Sequence, residues 1–105
     1  MSRSRLSECP VARALDAVGD RWTILVLRDL FRAGAVRFQG LLASLRGIGP
    51  NTLASRLKKL EKEGLIERRF YCDHPPRAEY VLTQKGRTLG PVVLALKKWG
   101  EQHPS

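Results

Sequence analysis

Residues 49–63 read GPNTLASRLKKLEKE, and their polar side chains are of the types that bond nucleic acid. On a helix turning about 100° per residue, Leu53, Leu57 and Leu60 form one apolar face. Asn51, Ser55, Lys58, Lys59 and Lys62 fall on the opposite face, with Thr52 and Arg56 on its flank. Amide, hydroxyl and ammonium groups bond base edges and phosphate oxygens in a DNA groove. Arginine can meet guanine, and asparagine adenine, through paired hydrogen bonds. Asn51, Thr52, Ser55 and Arg56, in the first turns, are therefore the expected base-reading set. Lys58, Lys59, Lys62 and the upstream Arg37 are expected on phosphates, which set register without carrying sequence information directly. The competing account is a solvated lysine face, with Asn51 and Thr52 only capping the helix and Arg56 on phosphate.

A second chemistry belongs to Cys9. It precedes Pro10 at a helix start, with Arg5 and Arg13 close in sequence. A helix N-terminus and nearby cations favour the thiolate, the form that reacts with oxidants and electrophiles. Cys9 is thus either a sensor of such species or a small residue packed at a dimer interface. Little else suggests reaction chemistry. There is no glycine-rich phosphate loop, and Glu61 and Glu63 sit among lysines and read as surface ion pairs. Cys9 and Cys72 are too few for a disulfide scaffold and form no CxxC pair for zinc. His74 reads as a loop side chain rather than a pH sensor. No enzyme, cofactor or metal is expected.

At 105 residues the chain allows one small domain with one core. Nineteen Lys and Arg against ten Asp and Glu give a net charge of +9, which argues for a polyanionic partner. The N-terminus MSRSRLSE has no apolar stretch of the signal-peptide kind, and the longest apolar run, Trp22 to Leu27, is broken by Thr23 and too short to span a bilayer. A soluble cytoplasmic protein with thiols reduced at rest is expected, with no membrane partner.

The elements that must carry these groups follow from periodicity. Residues 1–8 read as a flexible arm. Val11, Ala14, Leu15 and Val18 stripe a first helix that Gly19 ends. Asp20 caps a second helix from Arg21, apolar almost all round through Trp22, Ile24, Leu25, Val26, Leu27, Leu30 and Phe31, with Arg21, Arg28 and Arg32 as its polar strip. Such a helix belongs at the centre of a core, with Trp22 inside it. Gly34 breaks the chain, Val36 to Phe38 form a short strand or extended lead-in, and a third helix runs from Phe38 to about Arg46. The turn Gly47-Ile48-Gly49 joins it to the helix already described, so 38–63 reads as a helix-turn-helix. Residues 65–82 read as a hairpin of strands Leu65–Cys72 and Arg77–Leu82, with Asp73-His74-Pro75-Pro76 as its loop and Arg68, Arg69 and Arg77 as its cations. Thr83 caps a last helix over 83–103, striped by Leu89, Val92, Val93, Leu96 and Trp99. The expected fold is mainly α with a small β-hairpin, an α+β winged helix-turn-helix in a single domain. Its last helix would form a dimer interface, with Trp99 in it.

These residues, in this order, resemble the HxlR-type transcriptional regulators, winged-helix proteins related to the MarR group. The resemblance runs from Cys9 to about His103. It is carried by Cys9-Pro10-Val11, Gly19-Asp20-Arg21-Trp22-Thr23, Arg37-Phe38, Gly47-Ile48-Gly49-Pro50, Arg56-Leu57, Leu60-Glu61, Gly64-Leu65, Pro75 through Tyr80, Leu82-Thr83 and Gly86. It implies a homodimer built by terminal helices, a recognition helix in the major groove and a wing on the neighbouring backbone. It also implies that a sensing role for Cys9 is open, since some members use a cysteine there in that way. Cys72 departs from the family pattern, where another residue, often proline, is common. The expected function is a dimeric, sequence-specific DNA-binding regulator, taken as a repressor, acting on inverted-repeat half-sites and responsive through Cys9 or to a small molecule. The alternatives are a non-specific nucleic-acid binder using the same basic face and a winged helix turned to protein contacts. An inverted-repeat site would separate the first reading from both.

Overall fold

The structure, a computed structural model, describes residues 8–105. The arm expected over 1–8 therefore lies, apart from Glu8, outside the described residues. Pro10 opens α1 (Pro10–Val18), where its missing N–H costs nothing. Asp20 caps α2 (Arg21–Ala33), its carboxylate accepting the Thr23 N–H at 3.0 Å. Gly34, at φ 83°, ends α2 and turns the chain into β1 (Ala35–Val36). Then follow α3 (Phe38–Ser44) and α4 (Pro50–Lys62). The hairpin is β2 (Ile66–Asp73) and β3 (Pro76–Leu82), and α5 (Gln84–Arg87) and α6 (Gly90–Gln102) finish the chain.

The sheet is antiparallel in the order β1-β3-β2. Val36 lies opposite Tyr80, and Ile66 opposite Leu82, so β1, just ahead of the helix-turn-helix, and β2 of the wing flank the same strand β3. Val26, Leu27 and Leu30 of α2 meet Leu41 and Leu45, then Leu53, Leu57 and Leu60 of α4, and Ile66 and Leu82 of the sheet. Each fully buried leucine contributes about 1.5–3 kcal/mol. The polar face of α4 therefore cannot turn inward without giving up three of them. Trp22, expected inside the core, packs half-buried against it.

The stripe on α1 stands mostly outside the core: Val18 is buried, but Val11 is 67% and Leu15 59% exposed. Three local expectations are corrected. Helix α3 stops at Ser44, short of Arg46, and Gly47 at φ 93° makes the turn. The hairpin is tighter than read, because Asp73 and Pro76 pair across the wing and leave only His74-Pro75 between the strands. Proline is tolerated there, at the first position of a strand. The single last helix over 83–103 is two helices. Thr83 does cap, accepting the Gly86 N–H at 3.0 Å. Pro91, however, has no N–H to give to residue 87 and its ring would crowd that carbonyl, so the helix stops at α5 and restarts at Gly90. Gly86 is required by packing: a Cβ there would stand 2.0 Å from the Leu65 carbonyl oxygen.

Candidate nucleic-acid interface

Gly49, in extended conformation, is the N-cap of α4 and makes no side-chain cap; Pro50 follows in the first turn. Asn51 and Thr52 are thus not the capping residues, and Asn51, Ser55, Lys58, Lys59 and Lys62 stand exposed along one side. Thr52 is half-buried beside them. At the other end Gly64 takes φ 76°, and Lys85 Nζ donates to the Glu63 carbonyl at 2.8 Å, placing a cation at the helix C-terminus.

Arg56 is differently placed. Its Nε donates to Asp20 Oδ1 at 3.1 Å, and both side chains are 33% exposed. Asp20 also accepts from the Thr23 N–H and from the Thr23 hydroxyl. Burial would push this carboxyl up, but the Thr23 hydrogen bonds and the Arg56 cation together outweigh it and hold the group below the ordinary carboxylate value.

The wing strand β2 packs against α4. Arg69 and Glu79, opposite each other in register, form an ion pair at 3.0 Å. Arg68 lies over Phe70, 5.4 Å from its centroid, and Arg37, at the head of α3, lies over Tyr71 at 4.9 Å. Arg77 is exposed and makes no ion pair among the described residues; Glu79, a partner within reach in sequence, is taken by Arg69. Arg37 is thus held against the wing, β2 packs on α4, and Arg56 is tied inward.

Cys9 is exposed at the N-cap of α1, its carbonyl accepting the Arg13 N–H at 3.0 Å. It is not buried within the chain. Cys72 is half-buried on β2, its thiol 3.7 Å from the His74 carbonyl oxygen, and both cysteines are free. On α6, Val92, Leu96 and Trp99 face outward, Trp99 at 64% exposure and stacked on His103 with centroids 4.2 Å apart. Leu89 and Val93 of the expected interface are half-buried and pack against the chain's own core. A groove of about 510 Å³ runs between α2 and α6, lined by Ile24, Leu25, Phe31, Val93 and Leu94 together with Arg28, Arg32 and Lys97.

Sequence reasoning missed two polar features. Asp20 reads as a cap, but its bond to Arg56 spans 36 positions and leaves no local signal. Asp29 sits buried in the apolar α2, one oxygen 2.9 Å from Arg28 Nη2 and the other without a hydrogen-bond partner among the described residues. No described helix is long and apolar enough to cross a membrane, and no group of three His, Cys, Asp or Glu gathers among the described residues.

Residues 17–105 match the model of the HxlR-like helix-turn-helix family. A relative in Synechocystis sp., described as an uncharacterised HTH-type transcriptional regulator, is 45% identical over 92 residues, 88% of this chain and 67% of its own length. One from Mycobacterium tuberculosis, described in the same words, is 46% identical over 93 residues, 89% of this chain and 58% of the relative. The chain therefore spans between 58% and 67% of these two relatives. Among solved structures, the redox regulator HypR in its oxidised form superposes with a TM-score of 0.87 at 36% identity, covering 92% of this chain and 99% of that one. Its reduced form gives 0.83, also at 36% identity, covering 89% and 91%.

Proposed function

The chain belongs to the HxlR-like helix-turn-helix family of transcriptional regulators, and on that footing we propose that it acts as a homodimer that represses transcription by occupying an inverted-repeat DNA site. One observation carries the reading. Asn51, Ser55, Lys58, Lys59 and Lys62 of α4 all stand exposed outside the core, on a helix against which the wing strand β2 packs. Asn51, Thr52 and Ser55 then meet base edges, while Arg37, Lys58, Lys59, Lys62, Arg68 and Arg77 meet phosphates. The exposed apolar side chains of α1 and α6 supply the surface on which two copies join. The test is selection from random duplex DNA. Two half-sites about one helical turn apart support the reading. Salt-dependent binding with no preferred sequence replaces it with a non-specific binder.

The HypR likeness adds regulation. Cys9, exposed at the head of α1, is the thiol we assign to oxidants or electrophiles, with Cys72 on the wing as the second thiol of the chain. The groove between α2 and α6 is the place for a small-molecule effector, if thiol chemistry is not the signal. The cytoplasm, where DNA is found and thiols rest reduced, is the compartment this activity requires.

A further inference from the structure

A recognition helix reads bases only when held at one rotation about its own axis. Side-chain tips stand about 5–6 Å from a helix axis, so a turn of about 20° moves them about 2 Å, enough to break a hydrogen bond. The packing of Leu53, Leu57 and Leu60 is strong, but apolar burial is non-directional. A directional tie between α4 and α2 is the bond from Arg56 Nε to Asp20 Oδ1 at 3.1 Å. Asp20 is itself fixed, because the same oxygen accepts the Thr23 N–H at 3.0 Å and the other takes the hydroxyl of Thr23, which is fully buried. One carboxylate thus begins α2 and holds α4.

We propose that Asp20 and Arg56 are positioning residues for DNA recognition: their ion pair sets the rotation of α4 against α2, and Arg56 acts through Asp20 rather than by reading a base. The proposal rests on the DNA-binding reading above. Its support is geometric. Arg56 projects from the flank nearest the core while Asn51 and Ser55 point outward. The near edge of its guanidinium is engaged by a carboxylate that two bonds from Thr23 already hold still.

The experiment compares affinity for the duplex selected by the wild type with affinity for random duplex of equal length. Asp20→Asn is the main variant, because asparagine caps a helix about as well as aspartate while giving up the charge. Its ratio of specific to random affinity falls about tenfold, in line with couplings between contacting residues. Its affinity for random duplex does not fall, since the cation released from Asp20 is then free for phosphate. The selected sequence blurs at several positions together. Arg56→Ala blurs the same positions, adding Asp20→Asn to it changes nothing further, and Arg56→Lys recovers part of the ratio. An unchanged ratio in folded Asp20→Asn overturns the proposal. So does a loss in Arg56→Ala confined to one base pair, which makes Arg56 a base reader. A loss equal on both duplexes, with the salt slope down by about one, makes it a phosphate contact and overturns the proposal too. If Asp20→Asn does not fold, Arg56→Lys against Arg56→Ala decides, and equal loss overturns. A wild type with no preferred sequence sinks the sequence-specific reading itself and takes this proposal with it.

Discussion

The guanidinium of Arg37 lies over the ring of Tyr71, 4.9 Å from its centroid, and so ties the head of α3 to the wing. Exposed contacts of this kind contribute about 0.5–1 kcal/mol, too little to matter for folding but enough to bias the angle of a projecting hairpin. Tyr71→Leu keeps the apolar bulk and removes the ring face. The expected outcome is a Tm within a few degrees of wild type, with DNA affinity reduced several-fold on all sequences. Anisotropy titrations with selected and random duplexes check it; unchanged affinity on both refutes it.

The outer side of α6 should be an interface between copies. Val92, Leu96 and Trp99 are exposed apolar side chains on one short helix. Val92→Glu combined with Trp99→Ala is expected to sediment as a monomer or to precipitate, while the wild type sediments as a dimer at micromolar concentration. Val93 is a poorer target, since it packs against the core and its loss confuses folding with association. A wild-type monomer at that concentration contradicts the prediction.

For Arg77, exposed and without an ion pair among the described residues, the expected role is a phosphate contact. Arg77→Ala weakens binding to all sequences alike and lowers the salt slope by about one. Arg69→Ala moves the slope less, because that cation is already paired with Glu79. Equal slopes for wild type and Arg77→Ala place Arg77 in solvent.

If Cys9 is the responsive thiol, Cys9→Ser keeps its operator under peroxide or quinone while the wild type releases it. The same comparison for Cys72→Ser tells whether the wing thiol participates. Release by Cys9→Ser at the wild-type rate excludes Cys9 and leaves the groove between α2 and α6 as the route to regulation.

Asp20 gives a pH signature. Its carboxyl is held below the ordinary value in the folded chain, so its stabilisation is present above that value, about pH 3.9. It is lost as pH falls through the lowered folded value. The stability gap between wild type and Asp20→Asn is therefore constant at neutral pH and shrinks under acid. Denaturant melts at neutral pH and near pH 3 measure it; a gap that widens in acid reverses the sign and refutes the assignment.

What the sequence made legible was whatever repeats at short range. The leucines of α4 at 53, 57 and 60 point inward, Asp20 and Thr83 cap the helices after them, and the basic strands pair as a hairpin. Periodicity names the apolar side of a helix but not what covers it, which is why the α1 stripe stands outside the core and why Leu89 and Val93 turned inward. Pro91 carried the signal for the break between α5 and α6, but the regular stripe from Leu89 to Trp99 masked it. The Asp20–Arg56 bond and the burial of Asp29 depend on how helices cross, and no local pattern encodes that.

Gly86 leaves no room for a methyl group against the Leu65 carbonyl, and a Cβ on Gly90 would lie 3.4 Å from the ring of Phe31. The joint from wing to α6 is therefore tightly packed at Gly86, and Thr83 and Lys85 beside it bond the Gly64 and Glu63 carbonyls. A pair of chains joined through α6 would behave as a caliper with its jaws locked. One extra base pair between half-sites shifts the second by about 3.4 Å along the duplex and turns it about 35° around it. A locked caliper cannot follow both movements. For such a protein the number of letters between the half-sites would count as strictly as the letters within them.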